Sequence, residues 1–328
     1  MFAQLRHGFR RQRNEAVGVF LVENVARAFL VRRVGIGVEK TDSYRGDLHG
    51  FDPARQFAIA FYEQEYRLNT LVYRFPKPYV ALVDGIVMGG GVGISFHGSH
   101  RVMSEHALFA MPETGIGLFP DVGATYFLPR CPGRMGLYMG LSGVRVGVAD
   151  ALFLGLATHH VASARMAEFE AALASADLSG SAESAIDAVL GDFSSDPEDA
   201  PLAARQAEVD RCFAADSVEA ILANLAAEGT SWAEETRATL LEKSPTSLKI
   251  TFRQLTQYGD LDFEAAMKIE YRMAIRCNFS HEFYEGIRAQ IIDKDRQPKW
   301  LPARLEDVGE DLIESYFLPP ASGDMTFG

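Results

Sequence analysis

The feature that most constrains this chain is a run of three glycines at 89–91, directly after a short apolar segment at 79–83. Such a segment is typical of a strand that is buried on both faces. Glycine lets the backbone approach a ligand closely, and the first N–H groups of a helix have no partner within that helix. The pattern predicts an oxyanion hole, a set of N–H donors for a negatively charged oxygen. The alternative is a tight turn that needs positive φ.

Two acidic residues follow the glycines, each beside a proline and among apolar residues. Glu113 lies in the segment MPET, and Asp121 lies in FPDVG. A carboxyl group among Phe109, Phe119 and Tyr126 would be partly desolvated, which raises its pKa and suits general acid–base chemistry. The alternative is a pair of exposed loop acids.

Composition excludes several classes of protein. The chain has 328 residues, 48% of them hydrophobic, and a formal net charge of −12. This balance is globular, and the acidic charge argues against a nucleic-acid partner. No apolar run is long enough to predict a membrane span. Three cysteines, at 131, 212 and 277, have no metal-binding spacing, which favours inert thiols in a reducing compartment. His97, His100 and His106 lie close together, but nothing nearby completes a metal site, so no metal is expected.

Outside this region the sequence predicts a weakly defined start and a helical remainder. Segments 17–22 and 29–34 resemble strands. A helix is expected from Pro53, with Phe57, Phe61, Leu68 and Leu71 at helical spacing. Beyond residue 130 helices predominate, with residues 178–201 predicted as one weak helix and a linker.

Several longer strings are recognisable. They are KPYVALVDGIVMGGGVG, FAMPETGIGLFPDVG, YFLPR, SPTSLKITFRQL and EGIRAQIIDKDRQPKW. They resemble the crotonase (enoyl-CoA hydratase/isomerase) superfamily and, within it, the 3-hydroxyisobutyryl-CoA hydrolase branch. The resemblance covers about residues 51–302. It implies an α/β fold of the ClpP/crotonase type, a spiral of ββα units with a helical C-terminal region.

Two positions separate the branches of this superfamily. The hydratases carry a catalytic glutamate where this chain has Gly93, and they keep a glycine where it has Asp121. Water addition to a double bond needs an acid and a base on opposite sides of the substrate. Thioester hydrolysis needs one carboxylate and oxyanion donors. The resemblance therefore implies an acyl-CoA thioester hydrolase, with 3-hydroxyisobutyryl-CoA as substrate in valine breakdown. A hydratase or isomerase is the alternative.

The resemblance also implies roles for individual residues. Gly90, with Gly89 beside it, would hold the thioester oxygen through its backbone N–H. Glu113 would be the nucleophile or the general base, and Asp121 would bind the substrate hydroxyl or assist proton transfer. Glu65 matches a substrate-contacting glutamate of the family, with an exposed helix charge as the alternative. No metal or redox cofactor is implied, because CoA arrives as part of the substrate.

The N-terminal segment departs from the family pattern. Family members carry an Ala-Gly-Gly-Asp type motif that supplies a second oxyanion N–H, and here LVRRVGIG occupies that place. Gly35 or Gly37 could substitute for the donor; otherwise the chain would be a non-catalytic CoA-binding or assembly relative. We therefore divide the chain into an atypical segment 1–50, a crotonase-like core 51–160 and a helical region 161–328.

The expected compartment is a bacterial cytoplasm, because the composition is rich in alanine and arginine. Arginines at positions 6, 10, 11 and 13 keep a mitochondrial transit peptide as the alternative, against an exposed terminus. A homo-oligomer is also possible.

Overall fold

A computed structural model describes residues 18–22, 53–177, 180–197 and 199–327. Within these ranges the strands are β1 Gly18–Val22, β2 Tyr79–Val83, β3 Ile86–Met88, β4 His100–Met103, β5 Leu108–Ala110 and β6 His159–His160. The α-helices are α1 Pro53–Tyr73, α2 Gly90–Ser95, α3 Ala124–Phe127, α4 Met135–Ser142, α5 Val148–Phe153, α6 Ser163–Ser175, α7 Ala182–Phe193, α8 Pro201–Phe213, α9 Val218–Glu228, α10 Ser231–Leu241, α11 Pro245–Gln257, α12 Phe263–Cys277, α13 His281–Ile287 and α14 Glu310–Ser315.

The strands form two parallel sheets that share consecutive segments of chain. The larger sheet has the order β1-β2-β4-β6, and β3 pairs with β5 in a smaller one. Thus β2 enters the large sheet, β3 enters the small sheet and α2 follows, after which β4 and β5 repeat the pattern. Every residue of β2 is buried, as its continuous apolar sequence predicts. This arrangement confirms the predicted α/β fold of ββα units.

The N-terminal strand extends the large sheet. Gly18 pairs with Tyr79 and Val22 with Val83, in parallel register. The strand predicted at 17–22 is therefore confirmed, with one residue fewer. The strand predicted at 29–34, and the glycines proposed as substitute donors, lie outside the described residues.

Helix α1 buries a different side from the one predicted. Leu71 is 60% exposed and Leu68 is also exposed, whereas Tyr62, Tyr66 and Asn69 are buried. Apolar residues at helical spacing therefore predicted the wrong buried face for α1. Tyrosine buries a large ring while keeping a hydroxyl for a specific partner, so a polar aromatic face can point inwards. This face borders the candidate site.

Most C-terminal helices share the main core with the sheets, in a cluster of buried apolar side chains that extends from Tyr62 to Met325. Helices α6 and α7 instead pack on β2 and β4 in a second cluster, through side chains that include Phe169 and Leu190. Helix α8 was missed, because Pro201 was taken as the end of a linker and instead lies at the first turn of the helix. The three cysteines are buried and unpaired, and burial raises the pKa of each thiol, so they are inert as predicted. No helix in the described ranges is long and apolar enough to cross a bilayer.

Candidate active site

The glycine run forms both a turn and a helix start. Gly89 has φ 52° and ψ −126°, a conformation that only glycine adopts at low cost. The N–H groups of Val92 and Gly93 donate to the Gly89 carbonyl, at 2.9 and 3.4 Å. The amide of Gly90 therefore lies ahead of the first helical hydrogen bonds. The tight turn with positive φ is therefore confirmed, and it places these amides at the start of α2, where an oxyanion hole stays a prediction.

The Glu113 carboxylate lies beside this turn. Glu113 begins a 3₁₀ turn, Glu113–Ile116, and is only 4% exposed. A Cβ atom placed on Gly89 would lie 3.7 Å from Glu113 Oε1. The alternative of an exposed loop acid is therefore wrong for this residue. The structure brings together the predicted oxyanion donors and the predicted nucleophile or base.

Helix α13 packs directly on the Glu113 turn, backbone against backbone. A Cβ on Gly117, which has φ 71°, would lie 2.2 Å from the Glu282 carbonyl oxygen. In the other direction, a Cβ on Gly286 would lie 2.3 Å from the Ile116 carbonyl carbon. Real side chains do not fit at such distances, so two glycines make this contact possible. Sequence reasoning did not connect these glycines to the site.

Asp121 is buried on the neighbouring loop. It has no solvent exposure, and Oδ2 accepts a hydrogen bond of 3.1 Å from the Tyr66 hydroxyl. Val122, the next residue, has φ 54°, which is rare for a β-branched side chain and costs free energy. Gly123 follows with φ 97°. Strain of this kind persists only where the surrounding structure enforces it.

Buried polar side chains hold the loop in this conformation. Glu270 on α12 accepts the amide of Gly123 at Oε2, at 2.7 Å, and the amide of Thr125 at Oε1, at 2.8 Å. Gln254 on α11 donates to the Pro120 carbonyl at 2.7 Å. Burial raises the pKa of Glu270 to about 8, while the two amides oppose this effect.

His97 belongs to the same support. Its Nε2 atom lies 2.6 Å from the Val122 carbonyl oxygen. Burial lowers the pKa of His97 to about 4, so the ring is neutral at pH 7 and Nε2–H donates to that carbonyl. His100 instead approaches Asp187, and His106 approaches Asp84. Among the described residues no three side chains are arranged as metal ligands.

Neighbouring side chains fill the space beside Gly93, the position at which the resemblance predicts a glutamate in hydratases. A Cβ on Gly93 would lie 2.6 Å from Asn69 Nδ2 and 2.9 Å from Val122 Cβ. Asn69 is fully buried on α1, and Val122 is fixed by the strained loop. A glutamate side chain therefore has no room at Gly93 without a shift of both neighbours.

Glu65 is 6% exposed, so the alternative of a surface charge is wrong for it too. It directly precedes Tyr66 on α1. Sequence reasoning missed Tyr66, His97, Gln254 and Glu270. One of them carried a usable signal: Glu270 falls on the apolar stripe of α12, where a charged residue is unexpected.

Comparisons with known proteins give a consistent result. The sequence model of the enoyl-CoA hydratase/isomerase family matches residues 41–317. The mitochondrial 3-hydroxyisobutyryl-CoA hydrolase of Xenopus tropicalis is 43% identical over 314 residues, which are 93% of this chain and 81% of the relative. The enzyme of the same name from Xenopus laevis is 46% identical over 275 residues, which are 82% and 71% of the two chains.

Two solved structures share the fold over nearly the whole length. A carnitinyl-CoA dehydratase from Mycobacterium thermoresistibile has a TM-score of 0.80 and 33% identity, covering 98% of both chains. An enoyl-CoA hydratase from Rhodobacter sphaeroides has a TM-score of 0.81 and 31% identity, covering 97% of this chain and 99% of that one. The fold expected from the resemblance is therefore confirmed.

The expected compartment is corrected by these relatives. Composition predicted a bacterial cytoplasm, whereas the two relatives are named as mitochondrial enzymes of vertebrates. The main prediction is therefore wrong, and the finding points to its mitochondrial alternative. Alanine and arginine content reflects genome composition as well as location, so it was a poor guide.

Proposed function

Since this chain belongs to the enoyl-CoA hydratase/isomerase family, we propose that it hydrolyses a short-chain hydroxyacyl-CoA thioester. The substrate is 3-hydroxyisobutyryl-CoA, and the products are 3-hydroxyisobutyrate and CoA. One observation carries the proposal: the Glu113 carboxylate lies beside the glycine turn, while the second glutamate position is filled at Gly93. The names and identities of the relatives support the same reaction.

In this mechanism the amide of Gly90 donates to the thioester oxygen and stabilises the negative charge that develops on it. Glu113 either attacks the carbonyl carbon or removes a proton from the water that does so. The thiolate of CoA then leaves and takes a proton, and water supplies the oxygen of the new carboxylate. Asp121 binds the substrate hydroxyl, and Glu65 lines the acyl site. No metal or redox cofactor takes part in these steps.

The hydratase alternative has one observation in its favour, the names of the two solved structures. That reaction adds water across a double bond and uses two carboxylates of opposite role. Here Asn69 and Val122 occupy the space that the second carboxylate would need. The filled position therefore favours thioester hydrolysis over hydration.

The test measures thiol release from 3-hydroxyisobutyryl-CoA by wild-type protein and by Glu113→Gln. Loss of the nucleophile or base should lower kcat about 10²–10⁴-fold with the fold retained. Glu168→Gln makes the same substitution on an exposed side chain and should leave kcat unchanged. Hydration of crotonyl-CoA without thiol release, by folded wild-type protein, would establish the hydratase alternative. Binding of CoA with neither activity would establish the non-catalytic one.

A further inference from the structure

Glu270 carries a carboxyl group on the buried face of a helix, which is an unusual place for an acidic residue. It lies in the middle of α12, has no solvent exposure, and shares its face of the helix with Phe263, Met267 and Ala274, which are also buried. Burying a carboxyl group among apolar side chains costs free energy unless hydrogen bonds compensate. The compensating donors are two backbone amides, those of Gly123 and Thr125.

These two amides lie just after Asp121 in the chain. One carboxyl group therefore joins α12 to the chain just after Asp121, at the start of α3, through two short hydrogen bonds of 2.7 and 2.8 Å. We propose that Glu270 is a positioning residue: it fixes the Asp121 loop so that the Asp121 carboxylate meets the hydroxyl group of the substrate. This inference rests on the proposed function, because it assigns that hydroxyl to Asp121.

The strained backbone explains why the loop needs hydrogen bonds that hold it in place. Val122 has φ 54°, which is strained for a β-branched residue, whereas Gly123 adopts its φ of 97° at low cost. The other polar contacts hold different groups: His97 bonds the Val122 carbonyl, and Gln254 bonds the Pro120 carbonyl and the Thr125 hydroxyl. Neither of these two side chains holds a backbone amide, whereas Glu270 holds two.

The groups that face Glu270 match this role. Burial is the largest cause of the raised pKa of Glu270, and the charge of Asp121, on the loop, adds to it. From α1, Tyr66 donates to Asp121, and from the end of α2 a neutral His97 faces Val122. The Asp121 side chain is thus held by Tyr66, while Glu270 holds the backbone that follows it.

The test compares Glu270→Gln with wild type on two substrates, 3-hydroxyisobutyryl-CoA and isobutyryl-CoA. The amide keeps the shape but sets an NH₂ group against one backbone N–H, so the loop shifts. Preference for the hydroxylated substrate, as a ratio of kcat/KM, should fall about 10–100-fold, the usual range for a misplaced contact. Arg272→Gln is the control. Arg272 lies on the same helix as Glu270, and the substitution removes its ion pair with Asp324 in the C-terminal tail. It should lower thermal stability and leave the ratio unchanged.

A second readout needs no activity. Hydrogen exchange of the peptide that contains Gly123 and Thr125 should become about tenfold or more faster in Glu270→Gln, because a hydrogen-bonded amide exchanges only when the bond opens. If Glu270→Gln does not fold, Glu270→Asp keeps the carboxyl group and shortens its reach, and the same changes are expected. An unchanged substrate ratio in a folded variant would overturn the proposal, whether or not exchange becomes faster. If wild-type protein released no thiol while Glu270→Gln still showed faster exchange, the proposed function would be refuted, and only the support of the loop by Glu270 would remain.

Discussion

The two acidic residues of the site lie on neighbouring segments that are held in different ways. The turn that carries Glu113 is held by backbone packing, since Gly117 and Gly286 let α13 approach without side chains between. The loop that carries Asp121 is held by polar side chains, including Glu270 and His97, which bond its amides and carbonyls.

The difference predicts different weaknesses. Backbone packing depends on shape, so a single methyl group disturbs it while a change of pH does not. A buried polar network depends on which atoms donate and accept, so it reacts to isosteric substitutions and to pH. Catalysis in this site needs both segments in place, and each can be disturbed separately.

Gly286→Ala should give the largest effect and break the first segment. Alanine normally stabilises a helix relative to glycine, but here its Cβ would meet the Ile116 backbone at 2.3 Å. No rotamer change relieves a backbone contact. We expect the free energy of unfolding to fall by about 1–3 kcal/mol. We expect kcat to fall about 100-fold, because the Glu113 turn is displaced. Urea unfolding and thiol release measure the two effects.

Gly191→Ala is the matched control, because Gly191 also lies inside a helix, α7, and nothing lies within 4 Å of its added Cβ. It should raise the free energy of unfolding by up to about 1 kcal/mol and leave kcat unchanged. If Gly286→Ala behaved like Gly191→Ala, the Glu113 turn would not depend on packing against α13.

Tyr66→Phe should affect the second segment, with a smaller loss of activity and a fall of about 1–3 kcal/mol in the free energy of unfolding, because a buried Asp121 oxygen loses its donor. It removes the hydroxyl that donates to Asp121 and keeps the buried ring. A hydrogen bond to a charged group contributes about 1.5–3 kcal/mol, so kcat/KM should fall about 10–100-fold. Tyr73→Phe removes a hydroxyl that bonds Tyr126 in an exposed position, and activity should be retained. Equal activity of the two variants would show that Tyr66 does not orient Asp121.

The sequence predicted the glycine turn and the two acidic residues, but not the contacts that support either segment. The glycine turn, Glu113 and Asp121 lie in one stretch of chain, residues 89–121, and the turn follows from a local backbone requirement for glycine. The supports of Asp121 are distant in sequence: Glu270 lies 147 residues from Gly123. Apolar periodicity identifies Glu270 as an unexpected charge on the apolar face of a helix. It does not predict which loop the side chain contacts.

Helix α1 shows the same limit in another form. Periodicity selected Leu68 and Leu71 for the core, yet the structure buries Tyr66 and Asn69. A buried face with polar functions carries tyrosine and asparagine, so an apolar count ranks it below the exposed face. Glu65 is a similar case: it is buried, although a charged residue on a helix is usually exposed.

The smallest expected effect is a difference in the pH dependence of stability. Burial raises the pKa of Glu270 to about 8 and that of Glu282, on α13, to about 7. A raised pKa means that the folded state holds its proton more tightly than the unfolded chain. Each glutamate therefore stabilises fully below pH 4.5 and loses that contribution as pH rises through its folded pKa. His97, with its pKa lowered to about 4, acts oppositely, because its contribution is lost as pH falls from 6.5.

Between pH 7 and 8 the Glu270 contribution is thus still falling, by about 1 kcal/mol, which is close to the limit for one proton. Glu282 is already about half deprotonated at pH 7, so its contribution falls by only about 0.3–0.4 kcal/mol, and that of His97 is nearly constant. Glu282→Gln should therefore keep most of the decrease in the free energy of unfolding, and Glu270→Gln should keep only the smaller part. Denaturant unfolding at pH 7.0 and 8.0 measures both. A decrease that followed Glu282 instead would place the pH-sensitive support beside Glu113, and the contrast between a packed turn and a polar loop would not hold.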